Sequence, residues 1–149
     1  MDAEQLEPMK FTGFLIRRAQ QAHVAVWSRE VSSDITSVQF GVLSVLARRP
    51  GASQRELCDE LDLDRSTIAS LVVRLEHRGW IERERHVDDK RRNTLRLTDA
   101  GRDEIARLRP HVDDVERALT AALTPDERTE FRRLLRVVLA STVNLSSGS

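Results

Sequence analysis

The sequence predicts a mainly α fold of the α+β class, in which one short β-hairpin interrupts a series of helices. Apolar residues at Ile68, Leu71, Val72 and Leu75 follow the i, i+3, i+4, i+7 spacing of a helix that buries one face. Two short segments that follow Gly79 have the composition and alternation of strands. Long segments with apolar residues at helical spacing precede and follow this region.

Length and composition limit the class of protein. A chain of 149 residues with 40% hydrophobic and 32% charged residues is expected to form one globular domain. No apolar run approaches the ~20 residues of a membrane-spanning helix, and the acidic start does not resemble a signal peptide. The single cysteine excludes an internal disulfide framework. We therefore expect a cytoplasmic protein with no membrane partner.

Three helices are predicted in the first half of the chain. The first runs from about Pro8 to Val31. The second begins at a capping box formed by Thr36 and Gln39, and the third at a clearer box formed by Ser53 and Glu56. The residues expected to face the core are Phe40, Leu43, Leu46 and Ala47 in the second helix and Leu57 and Leu61 in the third.

The fourth helix follows Asp64, a favourable N-cap residue. With the third helix and the short link between them, it has the layout of a helix-turn-helix. Opposite its apolar stripe lie small, hydrogen-bonding or basic side chains: Arg65, Ser66, Thr67, Ala69, Ser70, Val73 and Arg74. Such a face suits a helix that enters a DNA major groove, and a solvated helix face is the alternative.

The predicted hairpin has a basic tip. Strands at Trp80–Arg83 and Thr94–Leu97 flank the segment from His86 to Asn93. From Arg65 to Leu97 there are nine basic and five acidic residues, a surplus of four positive charges in a chain of zero formal net charge. Local positive charge is the electrostatic footprint of a nucleic-acid face. These features predict a winged helix-turn-helix that binds double-stranded DNA.

Two long helices follow the hairpin. The first is capped by Thr98, and we expect Pro110 to kink it near Arg107–Leu108. The second opens at a capping box of Thr124 and Glu127. The apolar seams of these two helices are Ile105, Leu108, Val112, Val115 and Leu119 in the first and Phe131, Leu134, Leu135 and Val138 in the second.

A small winged domain cannot cover seams of this length. We therefore predict a two-fold homodimer in which the first and last helices of both chains interlock, and which binds a pseudo-palindromic operator. The expected organisation is one intertwined domain. It has an N-terminal dimerisation helix at residues 1–35, a DNA-binding region at residues 36–100 and C-terminal dimerisation helices at residues 101–149.

The wing carries a family pattern. The residues Asp89-Lys90-Arg91, Leu97-Thr98 and Gly101, with Leu75–Gly79 upstream, resemble the MarR-type winged-helix regulators, and the resemblance extends over roughly Phe14 to Leu139. It implies that Arg91 enters a minor groove and that Asp89 holds it in position. The predicted DNA-binding residues are therefore Arg65, Ser66, Thr67, Ser70, Val73, Arg74, Asp89, Lys90, Arg91 and Arg92.

The first helix carries a candidate effector site. On a helical wheel, Arg17, Gln20, His23 and Trp27 occupy an arc of about 120°. The guanidinium can bind a carboxylate bidentately, while Gln20 and His23 reach ring hydroxyls and apolar side chains enclose the ring. The alternative is that Arg17 and Arg18 form ion pairs with the partner chain while His23 and Trp27 pack.

This first-helix segment is similar to MarR-type regulators of aromatic-acid catabolism, including protocatechuate and hydroxycinnamate sensors. In those regulators a first-helix arginine anchors the ligand. The resemblance implies a small phenolic or aromatic carboxylate as effector, and either Arg17 or Arg18 as its anchor.

Other chemistry finds little support in the sequence. The four histidines are scattered, and no nucleophile motif, phosphate loop or metal-ligand spacing is present, so we expect no enzyme, no cofactor and no metal. Cys58 is expected to pack rather than to sense oxidants. The predicted function is a ligand-responsive DNA-binding regulator, a repressor of aromatic-acid catabolism or efflux genes. The alternative is a winged-helix protein-interaction module that does not recognise DNA.

Overall fold

The computed structural model describes the backbone of residues 3–86 and 88–146, and within these ranges it leaves the side chains of residues 89–92 and 143–146 undescribed. Over these residues the chain forms two 3-10 turns, six α-helices and a two-stranded antiparallel sheet. In chain order the elements are the 3-10 turns Ala3–Leu6 and Pro8–Lys10, α1 Thr12–Glu30, α2 Ser37–Arg48, α3 Gln54–Leu61, α4 Arg65–His77, β1 Ile81–His86, β2 Asp89–Leu97, α5 Asp99–Leu119 and α6 Pro125–Ser146.

The chain divides into two compact units. The first, Met1–Val115, contains α1 to α4, the hairpin and most of α5. The second, Glu116–Ser149, contains α6.

The helix α1 begins later than predicted. Pro8–Lys10 is a separate 3-10 turn, and Phe11 has extended backbone angles (φ −99°, ψ 126°) before the α-helix starts at Thr12. A residue with extended backbone angles ends one helix and precedes the next, so the predicted continuous helix from Pro8 was wrong at its N-terminus.

The predicted capping boxes at the starts of α2 and α3 are confirmed. The Thr36 hydroxyl accepts from the Gln39 backbone N–H at 3.1 Å, and the Thr36 N–H donates to the Gln39 side chain at 3.0 Å. Ser53 and Glu56 make the same reciprocal pair at 3.2 and 2.7 Å. Each box satisfies backbone N–H groups that have no partner within the helix.

The core of the first unit lies between α2, α3, α4 and the root of the hairpin. Because α2 packs against α3, α4 and β2, the face that it buries differs from the predicted stripe. Val42 and Val45 are buried there, whereas Ala47, which was predicted to be buried, is exposed. The largest fully buried side chains are Ile35, Leu43, Leu46, Leu57, Ile68, Leu75, Leu95 and Leu108.

The hairpin is longer than predicted. The register pairs Ile81 with Leu97 and His86 with Asp89, so most of the predicted basic tip belongs to the strands. The outer part of β1 is exposed, which explains the error: backbone hydrogen bonds extend this ladder without the apolar alternation on which the prediction depended. At the root, Leu95 also exchanges backbone hydrogen bonds of 2.9 Å with Gly51 and Ala52, which attaches β2 to the α2–α3 loop.

The helix α5 is capped as predicted, because the Thr98 hydroxyl accepts from the Gly101 N–H at 3.0 Å. Its seam was partly misassigned. Leu108 is fully buried in the core of the first unit and Ile105 packs against that core, so neither needs a partner chain for burial. The helix continues through Pro110, and the predicted kink remains a prediction.

In the second unit, Thr124 and Glu127 form the predicted capping box, with hydrogen bonds of 3.0 and 3.2 Å. The predicted stripe of α6 is exposed in the single chain. Its members are Phe131, Leu134, Leu135 and Val138.

Candidate nucleic-acid interface and effector region

The N-terminus of α4 is held by Asp64. Its carboxylate accepts from the Thr67 backbone N–H at 2.7 Å and from the Ser66 hydroxyl at 2.8 Å. These bonds, first the one from the Thr67 backbone and then the one from Ser66, hold the pKa of the Asp64 carboxyl below its ordinary value. The cap thus orients the first turn of the predicted recognition helix.

The two faces of α4 differ as the sequence predicted. Ile68, Val72 and Leu75 are buried in the core. Thr67 is half-buried, and the Val73 side chain is 57% exposed. The exposed members of the predicted DNA-binding set on this helix are Arg65, Ser66, Ser70, Val73 and Arg74.

The helix α3 contributes to the same surface, which the sequence analysis did not predict. An open cleft of about 250 Å³ is lined by Gln54, Arg55 and Cys58 of α3 and by Arg65 and Ala69 of α4. Arg55 lies in the first turn of α3, the first helix of the helix-turn-helix, and this helix of the motif crosses the DNA backbone. This position in the motif could have identified Arg55 as a DNA-binding candidate from the sequence. Cys58 also packs against the core, as expected.

The basic residues of the hairpin are not equivalent. The Arg83 guanidinium is bonded to Glu76 and Gln54, and Arg96 is paired with Glu84 at 2.6 Å. Arg85 is exposed. Of the predicted wing residues Asp89, Lys90, Arg91 and Arg92, the backbone lies in β2 and the side chains lie outside the described residues.

The C-terminal end of α4 is connected to the loop between α1 and α2. The Arg78 guanidinium lies 4.7 Å from the centroid of the Trp80 ring and donates a hydrogen bond of 3.1 Å to the Asp34 carbonyl. This contact joins the end of the predicted recognition helix to the loop that follows α1.

The four predicted effector residues divide into two pairs. Arg17 and Gln20 are exposed on α1. His23 is half-buried, and its ring meets the buried Trp27 edge-on, with centroids 6.1 Å apart at an interplanar angle of 69°. Trp27 in turn packs against Phe40, at 5.9 Å between centroids. The structure therefore brings His23 and Trp27 together and leaves the two N-terminal members accessible.

A hollow of about 220 Å³ lies at the C-terminal end of α1. Of the four predicted effector residues, Trp27 lines it. The remaining lining is rich in hydroxyl groups, which the sequence analysis missed because serines in a loop carry no positional signal. These residues are Val24, Ser28, Ser32, Ser33, Ile35, Thr36 and Ser37.

Within the part of the chain that the structure describes, no helix combines the length and the hydropathy needed to cross a membrane.

Known proteins match this chain in both sequence and structure. The MarR family model matches residues 33–92. The transcriptional regulator HosA of Escherichia coli is 32% identical over 124 residues, which cover 83% of this chain and 91% of HosA. The structure of PcaV, a transcriptional regulator from Streptomyces coelicolor in complex with its natural ligand, superposes with a TM-score of 0.87 at 39% identity, covering 91% of this chain and 96% of PcaV.

A third relative is a regulator whose DNA binding responds to a small molecule. The structure of Bordetella bronchiseptica BpsR, which concerns regulation of its DNA binding by 6-hydroxynicotinic acid, has a TM-score of 0.82 and 28% identity over 86% of this chain and 92% of BpsR. The proteins of the matching family are non-enzymatic DNA-binding regulators, in agreement with the expectation that this chain is not an enzyme. On the identity and coverage of HosA and PcaV, the chain belongs to the MarR family of winged-helix transcriptional regulators.

Proposed function

We propose that this MarR-family regulator is a homodimeric repressor that leaves its operator when a small aromatic carboxylate binds. The observation that carries the DNA-binding part is the division of α4. Its apolar face is anchored in the core while its polar and basic face is exposed over three turns. A rigid helix that presents hydrogen-bonding side chains in this way can enter a major groove without reorganisation of the fold.

Different residues are assigned different roles at the DNA. Arg65, Ser70 and Arg74 have side chains suited to base edges, and exposed Val73 suits contact with a thymine methyl group. Arg55 is assigned to a phosphate, because it lies beside Arg65 on the same cleft. The remaining members of the interface are Ser66, Thr67 and the wing residues Asp89, Lys90, Arg91 and Arg92.

Dimerisation is assigned to the terminal segments, residues 1–35 and 101–149. The exposed stripe Phe131, Leu134, Leu135 and Val138 on α6 supports this assignment, because these side chains repeat at the spacing of one helix face. Apolar patches of this kind on a soluble protein mark interaction sites. A two-fold dimer presents two recognition helices, so the proposed operator is a pseudo-palindrome with half-sites about 10 bp apart.

The effector is assigned to the region around α1. Arg17 is exposed and can bind a carboxylate, Gln20 and His23 supply polar groups, and Trp27 supplies an aromatic edge. The BpsR relative supports a carboxylate on an aromatic ring, since 6-hydroxynicotinic acid is a ligand of that kind. Arg18 is also exposed and is the second candidate for the anchor.

Release of DNA requires that the effector prefer a dimer whose recognition helices do not match the operator spacing. A coupling of about 1–3 kcal/mol corresponds to a five- to hundredfold loss of DNA affinity, which suffices for regulation.

Titration calorimetry with protocatechuate and with 6-hydroxynicotinic acid tests the effector assignment. The variant Arg17→Ala should bind these acids more weakly by roughly thirtyfold or more while it keeps the parent affinity for DNA. Arg29→Ala is the matched control, because it removes the same charge from the other end of α1, where Arg29 pairs with Glu30. Equal affinity of parent and Arg17→Ala moves the anchor to Arg18, and no binding by the parent removes the effector proposal.

The salt dependence of DNA binding tests the other half. For a protein that neutralises phosphates, the logarithm of the binding constant falls linearly with the logarithm of the salt concentration. Binding that is absent or insensitive to salt would favour the alternative function, a winged-helix module that contacts proteins instead of DNA.

A further inference from the structure

Arg83 joins three elements of the winged domain. It lies on β1, and its Nε donates a hydrogen bond of 2.8 Å to Oε1 of Glu76, near the end of α4. Its Nη1 donates a second bond of 3.0 Å to Oε1 of Gln54, the first residue of α3. One guanidinium therefore connects the wing to both helices of the helix-turn-helix.

This contact is more protected than the neighbouring ion pair of the hairpin. The side chains of Arg83 and Glu76 are 34% and 30% exposed, whereas those of Arg96 and Glu84 are both 48% exposed. The Arg96 pair also differs in topology, since it joins β2 to β1 within the hairpin and reaches neither helix. Because Nε and Nη1 of the Arg83 guanidinium bind different partners, the contact fixes both the orientation of the guanidinium and its distance from the two helices.

The position of Arg83 along β1 allows its hydrogen bonds to support the exposed part of the wing. Arg83 follows Ile81 by two residues, so both side chains lie on the same face of β1, and Ile81 is buried in the core. Beyond that root the strand is exposed, and an isolated two-stranded hairpin is only marginally stable in water. Arg83 is placed where the supported root meets the exposed part.

We propose that Arg83 is a positioning residue for DNA binding, which fixes the wing relative to the recognition helix and does not itself bind a phosphate. A regulator that inserts a helix and a wing into neighbouring grooves needs a constant separation between them. If the wing is free to move, it loses conformational entropy when it becomes ordered on the DNA. This loss lowers the affinity for the cognate duplex.

A substitution of Glu76 distinguishes a positioning role of Arg83 from direct attraction between Arg83 and a DNA phosphate. If Arg83 acted as a phosphate contact, loss of the Glu76 carboxylate would free it and raise the affinity for DNA. If Arg83 acts through position, loss of Glu76 breaks the same connection and lowers the affinity for the cognate duplex. The two explanations predict opposite signs for one substitution.

The experiment compares Arg83→Met, Glu76→Ala, the double variant and the control Arg96→Met in the full chain. The probes are a duplex of about 30 bp that the parent protein enriches from a random library and a scrambled duplex of equal length, which span about three helical turns. Binding is followed by fluorescence anisotropy from about 0.05 to 0.3 M KCl, and folding by circular dichroism.

We expect Arg83→Met and Glu76→Ala each to weaken binding of the enriched duplex roughly tenfold, with little change for the scrambled duplex. The salt slope should stay at the parent value, because no phosphate contact is lost. The double variant should be no weaker than the more affected single variant, since both remove one connection. Arg96→Met, which removes an arginine that is likewise paired with a glutamate, should leave the ratio of the affinities for the enriched and scrambled duplexes at the parent value.

Two results would overturn the proposal. One is a fall of about one in the salt slope of Arg83→Met, which is the signature of a lost phosphate contact. The other is tighter binding of the enriched duplex by Glu76→Ala. If Arg83→Met does not fold, Glu76→Ala decides alone, because alanine is favourable at this helical position.

Discussion

The indole nitrogen of Trp27 donates a hydrogen bond of 2.7 Å to the main-chain carbonyl of Ile35. Both residues lie in the interior, at 7% and 2% exposure. The adjacent carbonyl, that of Asp34, accepts from Arg78 at the end of α4. Two consecutive carbonyls of the α1–α2 loop thus connect the helix of the proposed effector region to the end of α4, the predicted recognition helix.

The first prediction concerns this hydrogen bond. Trp27→Phe should lower the free energy of unfolding by about 1–3 kcal/mol, because the carbonyl of the buried residue Ile35 loses its donor. Urea denaturation measures the change. Trp80→Phe is the control at a half-buried site and should cost less. A Trp27→Phe protein as stable as the parent would show that the bond contributes nothing.

The second prediction concerns the close approach of α5 to the residue before β1. A Cβ atom at Gly101 would lie 2.0 Å from the Trp80 carbonyl oxygen, so the backbone must shift. Gly101→Ala should destabilise the protein by about 1–3 kcal/mol or more. Gly13→Ala in α1, where a Cβ meets nothing within 4 Å, should be neutral or stabilising. Thermal unfolding of both variants checks the contrast, which equal melting temperatures would contradict.

The third prediction concerns the dimer. Leu134→Gln places a polar group on the exposed apolar stripe of α6 and should weaken self-association by roughly ten- to a hundredfold, since each chain loses the burial of a leucine. Arg136→Gln, two residues further along the helix and on its other side, is the control. Sedimentation across micromolar concentrations separates monomer from dimer. A parent protein that remains a folded monomer would exclude the proposed architecture.

The fourth prediction concerns pH. The folded-state pKa of Asp64 is lowered from 3.8, chiefly by the Thr67 backbone N–H, so the carboxylate stabilises the fold above that value. Its contribution is lost as the pH falls from about 3.8 through the lower folded-state pKa. Asp64→Asn retains a good N-cap without a titrating charge, so its stability should fall less steeply in this window. Carboxyl NMR titration measures the pKa directly, and an ordinary value for Asp64 would contradict the prediction.

The helix starts could be predicted because capping is local. Thr36, Ser53, Asp64, Thr98 and Thr124 each bind a group three residues ahead, and that spacing is visible in the chain itself. The family pattern of the wing lies in a short stretch as well. The recognition-helix face, the hairpin and the class of regulator were therefore accessible from the sequence.

The predictions were wrong where they depended on which element or chain covers an apolar helix face. The spacing of Leu108 with its neighbours indicates a buried face of α5, but it does not say whether the core or a second chain covers that face. Leu108 proved to belong to the core. Ala47 was predicted to be buried and is exposed, because the face of α2 that is buried depends on α3, α4 and β2, which are distant in sequence.

The sequence by itself determined where helices begin, which face of α4 is polar, and that the hairpin is basic, because each of these follows from neighbours within a few residues. Only the tertiary structure decided which arginines remain available to a ligand. Arg83 is separated from Gln54 by 29 residues and Arg78 from Asp34 by 44, so neither contact leaves a trace in local spacing. Long-range packing placed those groups together, and packing depends on the whole core rather than on any one segment.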